Sequence, residues 1–136
     1  MSNMDCIFCK IVKNQIPCYK TYEDNHFLGF LDIKPLSIGN SLLIPKKHYP
    51  WVYDVPNFGK YWQVAQKLAI TTQKIVKADF ISFLTLGLEV PHAHIRIIPR
   101  WLNDHHRNKG IDATNIVKIS KKQMIKIADK IYKSIK

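Results

Sequence analysis

No apolar run in the 136-residue chain approaches the roughly 20 residues needed to cross a bilayer. The longest, around Phe80 to Leu86, is broken by Ser82 and Thr85, so no membrane partner is expected. The opening Met1-Ser2-Asn3-Met4-Asp5 lacks the basic region and apolar stretch of a signal peptide, which makes the cytoplasm the expected location. Three cysteines, two of them close together at Cys6 and Cys9, are too few for a disulfide framework in a reducing compartment; metal or redox chemistry is the better use. Internal repeats and low-complexity segments are also missing. Acidic residues are scarce: 10 Asp and Glu face 21 Lys and Arg, for a formal charge of +11. From Lys109 onward eight lysines meet two aspartates, a net +6. Such an excess attracts phosphates. These lysines are not interleaved with the exposed aromatics of a single-strand binder, so they read mainly as a solvated helix face and nucleic acid is not the expected partner.

What is present is enough for one compact domain. Hydrophobic residues make up 46% and charged residues 23%, so the chain should bury a core without staples. Tyr19 to Tyr22, Phe27 to Ile33 and Ser41 to Ile44 read as short strands of an antiparallel meander, broken at Asn25, Pro35 and Gly39. Between Asn57 and Lys77 the residues Tyr61, Trp62, Ala65, Leu68, Ala69, Thr72, Ile75 and Val76 recur at helical spacing, with Asn57 as the expected cap. Two further strands are expected at Ile81 to Leu86 and Val90 to Ile98, separated by Gly87 and closed by Pro99. The stretch from Asn103 to Asn108 is too polar to be core. Met124, Ile125, Ile127, Ala128, Ile131, Tyr132 and Ile135 mark a terminal amphipathic helix. The expected fold class is α+β, an antiparallel sheet of about five strands with one long helix on it and a C-terminal helix. Residues 1–102 should form the main body, with 103–136 a polar connection and lysine-rich helix of the same unit.

Cys6-Ile7-Phe8-Cys9 places two thiolates so that a single turn can bite one metal ion. A thioredoxin-like pair would lie between a strand and a helix in a βαβ unit, whereas these cysteines precede the first strand. A zinc ribbon would need a second cysteine pair, and only Cys18 remains, so histidines must complete a tetrahedron. His48, after Pro45-Lys46-Lys47, and His92, expected to open the last strand, are the candidates; His26, His105 and His106 read as surface or satisfied histidines. In Pro91-His92-Ala93-His94-Ile95-Arg96-Ile97-Ile98-Pro99-Arg100, strand geometry puts 92, 94 and 96 on one face and 93, 95 and 97 on the other. Two imidazoles and a guanidinium in a row are costly in a sheet unless they meet water, an anion or a metal.

That segment resembles the His-x-His-x-His signature of the histidine triad family. The resemblance extends over about the first hundred residues, through Cys6-Ile7-Phe8-Cys9-Lys10-Ile11, Ile16-Pro17, Tyr22-Glu23-Asp24, Phe30-Leu31-Asp32-Ile33, Leu43-Ile44-Pro45-Lys46-Lys47-His48 and Gly87-Leu88-Glu89-Val90-Pro91-His92. It implies a structural Zn2+ held by Cys6, Cys9, His48 and His92, as in the zinc-bearing branch of the family. It also implies a nucleotidyl hydrolase or transferase in which His94 attacks the α-phosphate of a nucleoside phosphoramidate or dinucleoside polyphosphate. By the same resemblance Asp32 binds ribose hydroxyls, Ile33 forms a wall of the base pocket, and Gly87 and Glu89 join the nucleotide-binding set. A purine nucleotide as ligand and a homodimer paired through the long helix and a sheet edge complete the expectation.

The signature is incomplete. Arg96 stands at the third histidine position, where it can contact a phosphate bidentately but cannot act as a general acid near neutral pH. Asn40 replaces a His after Gly39, Leu88 replaces the Gln of a Gly-Gln loop, and Ile81 to Thr85 lacks the usual Asn. These changes are expected to remove phosphate donors. The alternative to an active enzyme is a catalytically weak nucleotide-binding or regulatory module that keeps a structural zinc site.

Overall fold

A computed structural model describes residues 5–107 and 110–135. Met1 to Met4, Asn108, Lys109 and Lys136, which entered the sequence expectations, lie outside the described residues. Five strands form one antiparallel sheet in the order β1-β2-β3-β5-β4: β1 Lys20–Glu23, β2 Phe27–Leu31, β3 Ser41–Pro45, β4 Phe80–Leu84 and β5 Ile95–Arg100. Every residue of β2 and β3 is buried, so both faces of the sheet centre are covered and the strands read as near-continuous apolar runs rather than alternating ones. Helix α1, Ile7–Val12, covers one face; α2, Phe58–Val76, and α3, Lys121–Ser134, cover the other. The short N-terminal helix was not anticipated.

The periodicity of α2 places Tyr61, Val64, Ala65, Leu68, Ala69 and Thr72 against the sheet. Tyr61 donates its hydroxyl hydrogen to the Leu43 carbonyl at 2.7 Å, which satisfies a phenol that burial would otherwise penalise. Removing a fully buried side chain such as Leu68 from water contributes about 2 kcal/mol. Asn57 does not cap α2 through its side chain, contrary to expectation; it adopts a left-handed conformation, φ 55° and ψ 48°. At α3, Ser120 does cap, accepting from the Gln123 amide at 3.2 Å. Met124, Ile127, Ala128 and Ile131 pack inward, while Ile125 and Tyr132 remain exposed.

Two expectations need correction. The last strand does not run from Val90 but begins at Ile95, so His92 and His94 lie ahead of β5. Pro91 has no amide hydrogen, the His92 amide turns back to the Val90 carbonyl, and the Ala93 amide bonds the Tyr49 carbonyl at 2.6 Å instead of a strand neighbour. The stretch after Trp101 is not excluded from the interior either. His106 is fully buried: its Nε2 donates to the Leu36 carbonyl at 2.8 Å and its Nδ1 accepts from the Asp112 amide at 3.1 Å. Asp104 receives Arg100 through Nε at 2.7 Å and Nη2 at 3.2 Å, plus the amides of Trp101 and His106. The buried polar groups there, Arg100, Asp104 and His106, are hydrogen-bonded within the chain. No helix among the described residues is long and apolar enough to cross a membrane.

Candidate active site and metal centre

Cys6 stands at the N-cap position of α1, without a side-chain cap, and Cys9 lies one turn on, so both sulfurs enter the space under the sheet from one piece of backbone. His48 follows the end of β3, and His92 comes from the segment before β5. One ligand atom from each of the four lies within 4.8 Å of the others. Cys6 Sγ is 3.4 Å and Cys9 Sγ 3.5 Å from His92 Nδ1, and Cys9 Sγ is 3.2 Å from His48 Nδ1. A tetrahedral zinc with ordinary Zn–S and Zn–N lengths has S···N edges of about 3.5 Å, so the spacing fits. His92 Nε2 donates to the Pro45 carbonyl at 2.8 Å. A carbonyl only accepts, so the ring is held as the tautomer whose Nδ1 lone pair points to the sulfurs, free to meet a metal ion while the other nitrogen is fixed by its hydrogen bond. Burial pushes the His92 pKa down to about 4, which keeps the imidazole neutral for ligation. Burial likewise raises the Cys9 thiol to about 11, a cost that a bound dication would reverse. The cluster could hold a metal ion with four protein ligands, which would leave no open coordination position.

The alternation expected for the triad segment survives although β5 starts late. Ala93, Ile95 and Ile97 belong to the core under α2, while His92, His94 and Arg96 point the other way. Phe8, within the Cys6–Cys9 turn, touches both imidazoles edge-on, with ring centroids 5.8 Å from His92 and 5.4 Å from His94. Its place between two cysteines was the available signal, yet sequence reasoning gave it no role. His94 Nδ1 donates to the His92 carbonyl at 2.8 Å, which leaves Nε2 unprotonated. Burial lowers the His94 pKa; the His92 carbonyl opposes this, Arg96 adds to it, and Asp32 and Glu89 oppose it.

Arg96 sits between Leu42 of β3 and Leu84 of β4, and its Nη2 meets Asp32 Oδ2 at 3.1 Å. Asp32 also accepts from the Lys34 amide at 2.9 Å, so its loop is fixed from within. His94, Arg96 and Asp32 are therefore brought together, with Glu89 exposed at the margin. Ile33, next to Asp32, is 73% exposed, an apolar surface open to a ligand. Gly87 has φ 70°, and a Cβ there would lie 3.3 Å from the Trp51 ring; Trp51 is a wall that the sequence did not reveal.

Asn40 is not a lost phosphate donor. It is 1% exposed, its Oδ1 accepts from the Leu36 amide at 2.9 Å, and its Nδ2 donates to the carbonyls of Ile97 and Ser41. Its backbone carbonyl accepts from the Asp32 amide, so Asn40 ties the loop carrying Asp32 to β5. Leu88, 80% exposed, projects into solvent.

Residues 13–102 match the model of the HIT domain. A HIT-like protein of Methanocaldococcus jannaschii is 38% identical over 120 residues, 82% of this chain and 91% of that protein. An adenylylsulfatase of Arabidopsis thaliana is 41% identical over 108 residues; the match spans 74% of this chain but only 54% of that longer relative. An adenosine 5′-monophosphoramidase of Saccharomyces cerevisiae is 36% identical over 100 residues, 70% of this chain and 62% of that enzyme. Among solved structures, a zinc-bound histidine triad protein of Mycobacterium smegmatis superposes with a TM-score of 0.80 at 26% identity, covering 97% of this chain and 94% of that one. With this fold, the metal cluster and the His92-Ala93-His94-Ile95-Arg96 segment, the chain belongs to the histidine triad family.

Proposed function

We propose that the protein transfers a nucleoside 5′-phosphate from a leaving group to water or another acceptor, through a nucleotidyl intermediate on His94. The observation that carries this is the His94 tautomer. With Nδ1–H committed to the His92 carbonyl, the Nε2 lone pair is free to attack phosphorus, and the buried ring stays neutral to do so. Arg96 supplies positive charge and N–H donors for phosphate oxygens. Asp32, Ile33, Gly87 and Glu89 surround the nucleoside, with Asp32 exchanging part of its bond to Arg96 for ribose hydroxyls. Cys6, Cys9, His48 and His92 hold zinc, which when bound clips α1 to the segment carrying His94 and takes no part in the bond changes. Reduced thiols at that site suit a cytoplasmic protein. Two of the relatives named above, the adenylylsulfatase and the adenosine 5′-monophosphoramidase, act on adenylyl compounds that differ in the group released, which supports the nucleotide half of the reading more strongly than the other half.

Two copies pair, in this reading, through α2 and the open edge of β4. Phe58, Ile70, Phe80 and Phe83 are 39–48% exposed there, and β4 is a terminal strand of the sheet. Sedimentation of the wild type should give the mass of two chains, and Phe83→Lys that of one.

The direct test incubates zinc-loaded protein with adenosine 5′-phosphoramidate, adenosine 5′-phosphosulfate and diadenosine polyphosphates and follows AMP. Release that vanishes in His94→Ala is the expected result. A second reading, a nucleotide-binding module without turnover, draws support from Asp32 being engaged by Arg96 and from Leu88 facing solvent. Equal inertness of wild type and His94→Ala, with nucleotide still bound, would select it.

A further inference from the structure

A nucleotidyl transfer that starts from an amine needs a proton on the departing nitrogen. One that starts from a strong oxyacid does not, because sulfate or a phosphate leaves as a stable anion. The groups around His94 decide which case this site can serve. His94 has its single N–H on the His92 carbonyl, and His92 has its own on the Pro45 carbonyl, with the other nitrogen turned to Cys6 and Cys9. The charged groups acting on His94 are Arg96, Asp32 and Glu89. Asp32 is the counter-ion of Arg96, and both carboxylates are acceptors. Arg96 is a guanidinium that keeps its protons, and it spends one of five N–H donors on Asp32 at 3.1 Å. The remaining donors can meet an oxyanion in paired fashion. Among the described residues, those acting on His94 thus supply anion stabilisation and no neutral acid.

Resting on the functional reading above, we infer that the substrates are mixed anhydrides of a nucleoside 5′-phosphate with a strong oxyacid, such as a phosphosulfate or a polyphosphate, and that Arg96 selects them against phosphoramidates. His94 Nε2 forms the N–P bond while the bridging P–O bond breaks. Its electron pair departs on the sulfate or phosphate, whose new charge Arg96 receives. A water oxygen then bonds phosphorus, the N–P electron pair returns to Nε2, and the water proton passes to solvent, leaving the nucleoside monophosphate.

General acid catalysis contributes about 10²- to 10⁴-fold to such reactions, and this sets the expected contrast. Steady-state kcat/KM of zinc-loaded wild type should be at least about 100-fold higher on adenosine 5′-phosphosulfate than on adenosine 5′-phosphoramidate. Arg96→His, which restores an acid, should raise the phosphoramidate rate at least about tenfold and lower the phosphosulfate rate, narrowing the ratio. Should that variant fold poorly, a series of adenosine 5′-aryl phosphates on wild type alone gives the same information: rates should fall steeply as the departing phenol becomes less acidic. Comparable rates on both substrates, or a flat aryl series, overturn the inference and leave the His94 reading standing. No His94-dependent release from any of these compounds overturns both.

Discussion

At one end of the site Cys6, Cys9, His48 and His92 converge from three parts of the chain with the donors, tautomer and spacing a tetrahedral metal requires. At the other end, beginning only two residues further on, Arg96 occupies the third triad position and pairs with Asp32, while Leu88 faces solvent. The two ends are also braced differently. The Cys–His end buries two thiols that a bound cation would neutralise, whereas the loop from Asp32 to Ser37 is held by hydrogen bonds from Asn40 and His106, with the His106 amide itself held by Asp104, the ion-pair partner of Arg100. The difference teaches that a closed ligand set tolerates no change of residue type, while a phosphate-facing surface can exchange an acid for a cation without disturbing its scaffold.

Removing the metal should produce the largest effect. An ion present about a thousandfold above its dissociation constant stabilises by about 4 kcal/mol. Chelation or Cys9→Ala should therefore lower the thermal midpoint markedly, and added zinc should rescue the wild type only; an unchanged midpoint would break the comparison at its metal end.

Breaking the brace at the other end comes next. Asp104→Asn leaves Arg100 buried and unpaired, both side chains being 6% exposed, and should cost about 3 kcal/mol while zinc content stays unchanged. The Arg100 guanidinium holds the Asp104 carboxyl well below the usual carboxylate range. A depressed folded-state pKa contributes stability that is complete above the unfolded carboxylate pKa of about 4 and is lost as pH falls below it. Acid titrations should show wild type losing stability below about pH 4 more steeply than Asp104→Asn; parallel curves would remove Asp104 from the brace.

Asn40→Ala should cost about 2 kcal/mol, from the buried carbonyls and amide it leaves unpaired. Asn40→His should destabilise too rather than restore activity, since the position faces the interior. The smallest effect belongs to Leu88→Gln. One recovered hydrogen bond is worth about 1 kcal/mol, so kcat/KM should change less than about tenfold; a larger gain would mean that this loop closes on substrate.

These contrasts follow how legible the residues were in the sequence. The cluster of Cys6, Cys9, His48 and His92 and the row of His92, His94 and Arg96 could be read because residue type and a period of two carry the information directly. α2 was legible for the same reason: its apolar residues recur at helical spacing. What escaped depended on partners distant in sequence. The role of Asn40 needs Leu36 and Ile97 around it, and that His106 is a satisfied, fully buried histidine rather than a surface one needs Leu36 and Asp112 at its two nitrogens. The start of β5 was placed too early because the alternation of residues 92–97 continues through a stretch whose amides bond outside the sheet. Helix α1 is only six residues long, too short to show a period. The Ser120-x-x-Gln123 cap was present to be read and was overlooked.

The central claim is a covalent nucleotidyl intermediate on His94. Mixing zinc-loaded protein with adenosine 5′-phosphosulfate, quenching in base to preserve the N–P bond, and mapping the modified peptide by mass spectrometry tests it most directly. A transient adenylyl group on the peptide carrying His94, absent from His94→Ala, is the predicted result. AMP release with no adduct at any time, or an adduct on another residue, would contradict it.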